Sequence, residues 1–431
     1  MYSLTIHAQT WVKTDAAIAA TGSDALLVVG NIGDTIFVSG NDFINKNNLS
    51  VSLDEGLTWS SSQAFLNDDY GQVNQLVGVN NKVYTSVKLP FNDYLYYSSN
   101  DLGNSWSLDT IGLPHYYNIS TAEKDAFQLK RLSGGYIVAY NSLAITGAYY
   151  KHENDVEWQF LSCYPGKVHF DFTFIGNTWF SLHGYTSNDT EKIAMSTDFG
   201  QTWTPVSMSG LPNGFTPIFL ESNHVNKLYI TGSTAGVEAN AIYYSEDGGL
   251  TWTQSNAHTL TSYPNATITD IYAVGNNVFA GYSPNSGDSI TRFILSDSPT
   301  PNFQLGNTNN LIVDNSGLFP YVAPVLNFFN TSNKLFIRYL DDLYSSEISI
   351  SGVNNIPEYR INNSVYPNPF KNSLHIDIET ATFIKLYTPS GKKINSFHLT
   401  SKKNIIQLDY LVPGIYILQF EDGSTKRILK N

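Results

Sequence analysis

Cysteine is nearly absent. Cys163 is the only one among 431 residues, so an intrachain disulfide and a Cys-rich zinc site are both excluded. Charge is also scarce, at 14% Asp, Glu, Lys and Arg, which excludes a disordered polyelectrolyte and a long solvated coiled coil. Cations are the rarer sign: 24 Lys and Arg stand against 37 Asp and Glu, a net charge of -13. Nucleic-acid binding needs clustered cations, so no nucleic-acid partner is expected. No apolar run is long enough to cross a bilayer as a helix, so no transmembrane helix is expected. No glycine-rich loop ends a strand and opens a helix, so nucleotide binding has no support and no cofactor is expected. Aromatics are what the chain has in quantity, with Tyr 28, Phe 24 and Trp 7 beside 31 glycines. Aromatics suit half-buried pleated surfaces and glycines suit tight turns, so the composition leans all-β.

Four segments share the pattern Ser-x-Asp-x-Gly-x-x-Trp, with their aspartate and tryptophan at Asp54/Trp59, Asp101/Trp106, Asp198/Trp203 and Asp247/Trp252. A short Asp side chain accepts N–H groups of its own turn, glycine takes the positive-φ position, and the indole packs as the next strand begins. Degraded copies run from Lys151 to Trp158 and from Ser296 to Phe303. The anchoring aromatics Trp11, Trp59, Trp106, Trp158, Trp203, Trp252 and Phe303 recur at intervals of 48, 47, 52, 45, 49 and 51 residues. That is the length of a four-stranded propeller blade. Seven hairpin signals keep step, at Asp34, Asn81, Gly134, Asn177, Asn226, Asn276 and Asn333. Seven strands leading into the box also keep step, from Leu49–Ser52 to Leu343–Ser346. The last of these has no tryptophan after it, and Trp11 has no box before it. The prediction is a seven-bladed β-propeller over residues 10–350, closed by the N-terminal strand beside Leu343–Ser346. The repeat resembles the Asp-box, or BNR, repeat of sialidases, sortilin-type receptors and other β-propellers.

Charge changes along the chain: residues 360–431 hold 10 Lys and Arg against 5 Asp and Glu, whereas residues 1–359 hold 14 against 32. A linker is expected over 351–361 and a small β-sandwich of immunoglobulin-like type over 362–431. Its markers are Tyr366-Pro367-Asn368-Pro369, the turn at Gly391, and Pro413-Gly414-Ile415-Tyr416. The order of these elements resembles the type A sorting domain of the type IX secretion system of Bacteroidetes. The resemblance implies export through the type IX machinery as partner, via the periplasm, to the outer-membrane surface or the medium. A generic binding or spacing appendage is the other reading of these residues. At the other end, Ala8-Gln9 resembles the cleavage end of signal peptides common in that phylum, so residues 1–9 read as a signal-peptide remnant or as an ordinary frayed terminus.

The repetition of Asp54, Asp101, Asp198 and Asp247 argues for a structural role, since a catalytic site needs unlike groups that converge. Sialidase-like enzymes hold a carboxylated sugar with three arginines, and this region offers only Arg131, Arg292 and Arg338, with Arg292 on an outer strand. Asp68, Asp69, Asp171 and Asp270 lie before or on first strands and read as solvated carboxylates without an identified partner. His169 and Asp171 share one strand face and read as hydrogen-bonded channel residues, with no metal expected. The candidate ligand face offers Phe43, Phe91, Tyr94, Tyr116, Tyr117, Tyr185 and Tyr282, together with His169, Asp171 and Arg338. Aromatic faces beside amides suit sugar rings or peptide chains. The expected function is a secreted or surface propeller that binds a glycan or protein and catalyses nothing. The alternative is an exo-sialidase-like or other glycoside hydrolase, and a third reading is an assembly factor similar to the photosystem II assembly propellers.

Overall fold

Each Ser-x-Asp segment builds one repeated turn. In the first, Ser52 Oγ donates to Asp54 Oδ1 at 2.8 Å and accepts the Gly56 N–H at 2.8 Å. Asp54 Oδ1 also accepts the Thr58 N–H at 2.8 Å, and Oδ2 accepts the Thr58 hydroxyl at 2.5 Å. The same bonds recur around Asp101, Asp198 and Asp247. The glycine must reverse the chain, and Gly56, Gly103, Gly200 and Gly249 have φ of 81°, 84°, 85° and 91°, a region closed to most L side chains.

In the computed structural model the described residues are 10–16, 26–40, 49–61, 72–80, 82–88, 94–113, 128–140, 148–162, 169–183, 192–234, 237–260, 267–283, 293–306, 311, 325–339, 342–347, 364–366, 370–378, 382–388, 393–400, 403–420 and 425–430. The chain divides into two compact units, Met1–Val353 and Asn354–Asn431. The proposed leader over 1–9 and linker over 351–361 lie outside the described residues.

Among the described residues, the first unit holds seven four-stranded antiparallel sheets. Their first strands are Leu26–Ile32, Gln72–Val79, Gln128–Leu132, His169–Ile175, Thr216–Ser222, Thr267–Val274 and Val325–Asn330. In the first six sheets the four strands follow in chain order. The seventh consists of Val325–Asn330, Lys334–Tyr339 and Asp342–Glu347, and its edge is filled by Val12–Lys13 from the far end of the unit. There Val12 pairs with Ser345 and Lys13 with Tyr344. Thr14 N donates to Leu343 O at 2.9 Å, and Lys13 forms an ion pair with Asp342 at 2.8 Å.

Each first strand packs against the next sheet's first strand, and the seventh packs against the first. The anchor aromatics fill these interfaces in strict order. Trp59 joins Ile36, Val38 and Phe336 between the seventh and first sheets, and Trp106 joins Phe37 and Val83 between the first and second. Trp158, Trp203, Trp252 and Phe303 fill the next four. Trp11, 1% exposed, meets Phe293 edge-on at 5.7 Å beside the sixth sheet. A buried indole removes roughly 150–250 Å² from water, the largest contribution any one side chain makes.

The degraded third copy keeps its place by other chemistry. Lys151 stands where serine would be and donates to Asp109 at 2.5 Å, and Trp158 Nε1 donates to the same carboxylate at 3.1 Å.

The second unit stacks two sheets on one core. A three-stranded sheet of Ser364–Tyr366, Ser373–Asp377 and Lys403–Gln407 faces a four-stranded one of Lys393–Leu399, Thr382–Tyr387, Gly414–Phe420 and Thr425–Lys430. Leu374, Ile376, Ile384, Leu386, Leu418 and Phe420 alternate inward, as period-2 strands require. Past the Pro413–Gly414 break, Tyr416 Oη donates back to Val412 O at 2.8 Å.

Candidate functional site

A β-strand with a bulge leaves backbone groups without a ladder partner. The first strands of the first, second, fourth, fifth, sixth and seventh sheets all shift register near their starts. Side chains of neighbouring sheets supply acceptors at this level. Gln75 Oε1 accepts the Leu129 N–H at 2.6 Å, Asp171 Oδ2 accepts the Leu220 N–H at 3.0 Å, and Asp270 Oδ2 accepts the Phe328 N–H at 3.1 Å. Each bond joins one sheet's first strand to that of the next.

Asp171 and Asp270 border a cavity of about 330 Å³ lined also by Gln128, Lys130, Tyr140, Ile218, Phe219, Glu221 and Ile271. Lys130 Nζ lies 2.7 Å from Asp171 Oδ1 and 3.6 Å from Glu221 Oε2. Tyr140 Oη donates to Asp171 Oδ1 at 3.5 Å. Burial works against the Lys130 ammonium, but the charges of Asp171 and Glu221 outweigh it and hold its pKa above the ordinary lysine value. Burial pushes the Asp270 carboxyl up to about 7. The Phe328 N–H opposes that push and the charge of Glu221 adds to it. The box aspartates behave in the opposite way. Their turn hydroxyls and N–H groups hold Asp54, Asp198 and Asp247 down to about 2.

Asp171 and Asp270 therefore need correction as solvated carboxylates. Both lie on strands and tie adjacent sheets, and Asp171 is 6% exposed. Tyr282 also needs correction as a ligand-face residue. It is 1% exposed and packs with Ile268, Ile271 and Ile294 in the core between the fifth and sixth sheets, because its position on the second strand points it into that interface. Arg338 lies on the seventh sheet's second strand, paired with Leu326 and Leu343, and Tyr94 opens the third strand of the second sheet opposite Lys88. His169 opens the fourth sheet opposite His183. Phe43, Phe91, Tyr116, Tyr117, Tyr185 and Arg292 lie outside the described residues, as do Cys163, Asp68, Asp69, Pro367, Asn368, Pro369 and Gly391. Lys130, Tyr140 and Glu221 were not among the expected site residues. They come from two sheets and share no local motif.

Among the described residues no three His, Cys, Asp or Glu side chains gather as a metal site. No helix among them is long and apolar enough to cross a membrane.

Residues 364–431 match the family described as a secretion system C-terminal sorting domain. The second unit is thus a type IX sorting tail, and the chain is a secreted or cell-surface protein. No curated protein matches the chain. Among solved structures it is similar to YCF48 bound to a D1 peptide, at 14% identity and a TM-score of 0.50, covering 80% of this chain and 99% of that one. It is likewise similar to a catalytically inactive virginiamycin B lyase from Staphylococcus aureus with quinupristin, at 10% identity and a TM-score of 0.51, covering 79% and 99%. At such identities the likeness speaks for the fold alone: a β-propeller-like arrangement of four-stranded antiparallel sheets.

Proposed function

We propose that this secreted chain is a seven-bladed Asp-box propeller whose first strand closes the ring, and that it binds a glycan or protein ligand in the cavity between its first strands without catalysing a reaction. The seven sheets, the pairing of Val12 with Ser345, and the aromatic that fills each interface support the ring. The observation that carries the binding reading is the cavity itself. It sets three apolar side chains, Ile218, Phe219 and Ile271, beside polar groups that separate sheets bring to one point. The polar groups are already engaged, Lys130 with two carboxylates and Asp270 with two backbone N–H groups.

The test is a glycan array and a peptide panel probed with the full chain, beside Glu221→Gln and Ile218→Ser variants. Binding that the two variants weaken at least threefold is expected, and binding indifferent to both would place the ligand elsewhere. Removing residues 354–431 should abolish delivery to the surface in a type IX-competent host while the sheets still fold, read by fractionation and circular dichroism.

One observation favours a glycoside hydrolase as a second reading. The cavity brings the Asp171, Glu221 and Asp270 carboxyls to one wall, and burial pushes Asp270 up to about 7, the range in which a carboxyl serves as a general acid. A sialidase and glycosidase panel decides it. No turnover is expected, and turnover lost in Asp270→Asn would establish the enzyme.

A further inference from the structure

The cavity's own chemistry narrows the ligand, provided that the cavity is the binding site. Three of its lining residues bring carboxylates (Asp171, Glu221 and Asp270), and a single ammonium, that of Lys130, faces them. Anionic sugars are therefore repelled. Lys130 also shows what this wall holds: an ammonium 2.7 Å from Asp171 and 3.6 Å from Glu221. Acceptor capacity is left over. Asp270 receives the Ile271 N–H on Oδ1 at 3.0 Å and the Phe328 N–H on Oδ2 at 3.1 Å, and an ionised carboxylate accepts about four bonds. Beside these acceptors run Phe219, Ile271 and Ile218, the last 41% exposed although it sits on a first strand. An exposed isoleucine beside surplus acceptors matches a ligand with an apolar stem and a cationic tip.

We propose that the cavity takes a lysine side chain of a polypeptide partner, its methylene stem against Ile218 and Phe219 and its ammonium on Glu221 and Asp270. The apolar strip favours a polymethylene stem over an amino sugar, whose ring would set hydroxyls against isoleucine. The groups facing Asp270 are Glu221 from the fifth sheet, Lys130 from the third, the Phe328 N–H from the seventh, and Tyr272 on its own strand. Burial raises Tyr272, and Lys130 stays protonated, so neither titrates near neutrality; burial also raises the Asp171 carboxyl in the same cavity, so the Asp270→Asn comparison is what assigns the slope. With the Asp270 carboxyl near 7, a ligand that needs it ionised should bind about tenfold more tightly at pH 8 than at pH 6.

The experiment measures binding of Nα-acetyl-lysine methylamide to the full chain by calorimetry or NMR shift, against the norleucine analogue, glucosamine and glucuronate. The lysine probe should bind at least tenfold more tightly than the norleucine probe, tighten about tenfold from pH 6 to 8, and lose that slope in Asp270→Asn. Should that variant fail to fold, Ile218→Ser on the exposed strip provides the check and should weaken the lysine probe at least threefold. In a Lys130→Ala chain, propylammonium should restore thermal stability where propanol does not. Equal binding of lysine and norleucine probes, tighter binding of glucuronate or glucosamine, or no binding of the lysine probe at any pH overturns the lysine assignment. Array hits sensitive to Glu221→Gln would in that event leave the cavity standing as the ligand site. Hits insensitive to it would remove both.

Discussion

The chain uses aspartate in two places with opposite results. On the turns after the third strands, Asp54, Asp198 and Asp247 each collect a serine hydroxyl, a threonine hydroxyl and a backbone N–H, which hold them near 2. Between the first strands, Asp270 collects two backbone N–H groups, yet burial drives it to about 7. The carboxyl is the same and the number of donors is similar. What differs is how deeply the carboxyl is set among protein atoms, and at the cavity that burial outweighs the two donors. Repeated aspartates thus stabilise the architecture, and the aspartates that stand alone are the ones with unusual chemistry.

The largest effect should come from stripping the cavity of its cation. Lys130→Met takes the cation from the Asp171 carboxyl, which is 6% exposed, and should cost about 3 kcal/mol, read by calorimetric unfolding of the full chain. Next comes the turn. Ser245→Ala removes the acceptor of the buried Gly249 N–H, bonded at 2.8 Å, and should cost about 1–3 kcal/mol. If the turn variant costs more than the cavity variant, the contrast between the two sites is wrong.

Acid should then separate the two classes by sign. A carboxyl lowered to about 2 contributes stability that is complete above its unfolded value near 4 and is lost as pH falls towards 2. A carboxyl raised to about 7 contributes most at acid pH and loses that contribution as pH rises from about 4 to 7. Asp270→Asn should therefore flatten the decline in melting temperature between pH 4 and 7 and leave the acid limb intact. The smallest effect belongs to Asp247→Asn. Threonine can reverse its hydroxyl bond to an amide, so stability at pH 7 should stay within about 0.5 kcal/mol, and only the acid limb should shrink.

Local pattern made much of the fold legible. The strands Leu49–Ser52 and Ile193–Ser196 were readable to the residue from the sequence, because the serine that ends each one begins a turn fixed by its own side chains. The anchor aromatics were legible for the same reason. The cavity was legible only at Asp171, an expected ligand-face residue, since Lys130, Asp171, Glu221 and Asp270 lie 41 to 50 residues apart and meet only when four sheets pack. One signal was available: Gln75, Asp171 and Asp270 each stand six residues before the turn asparagine of their hairpin, Asn81, Asn177 and Asn276. Polar residues repeating at one position of an otherwise apolar strand mark ties between sheets. Tyr282 misled because an aromatic beside a loop and an aromatic inside an interface look alike without the register. The replacement of serine by Lys151 showed that the third copy had decayed, but Asp109, its new partner, stands before that turn and gave no sign of the pairing.

The bond from Thr14 to Leu343 spans 329 positions of the chain. A polypeptide made from one end must leave its earliest strand idle until almost the whole unit has been synthesised, with Trp11 lacking its cover meanwhile. Loop closure of that length is slow compared with forming any hairpin along the way. Completion of the last sheet is therefore a late event, and a chain cut short anywhere before Leu343 leaves a raw sheet edge for quality control to find.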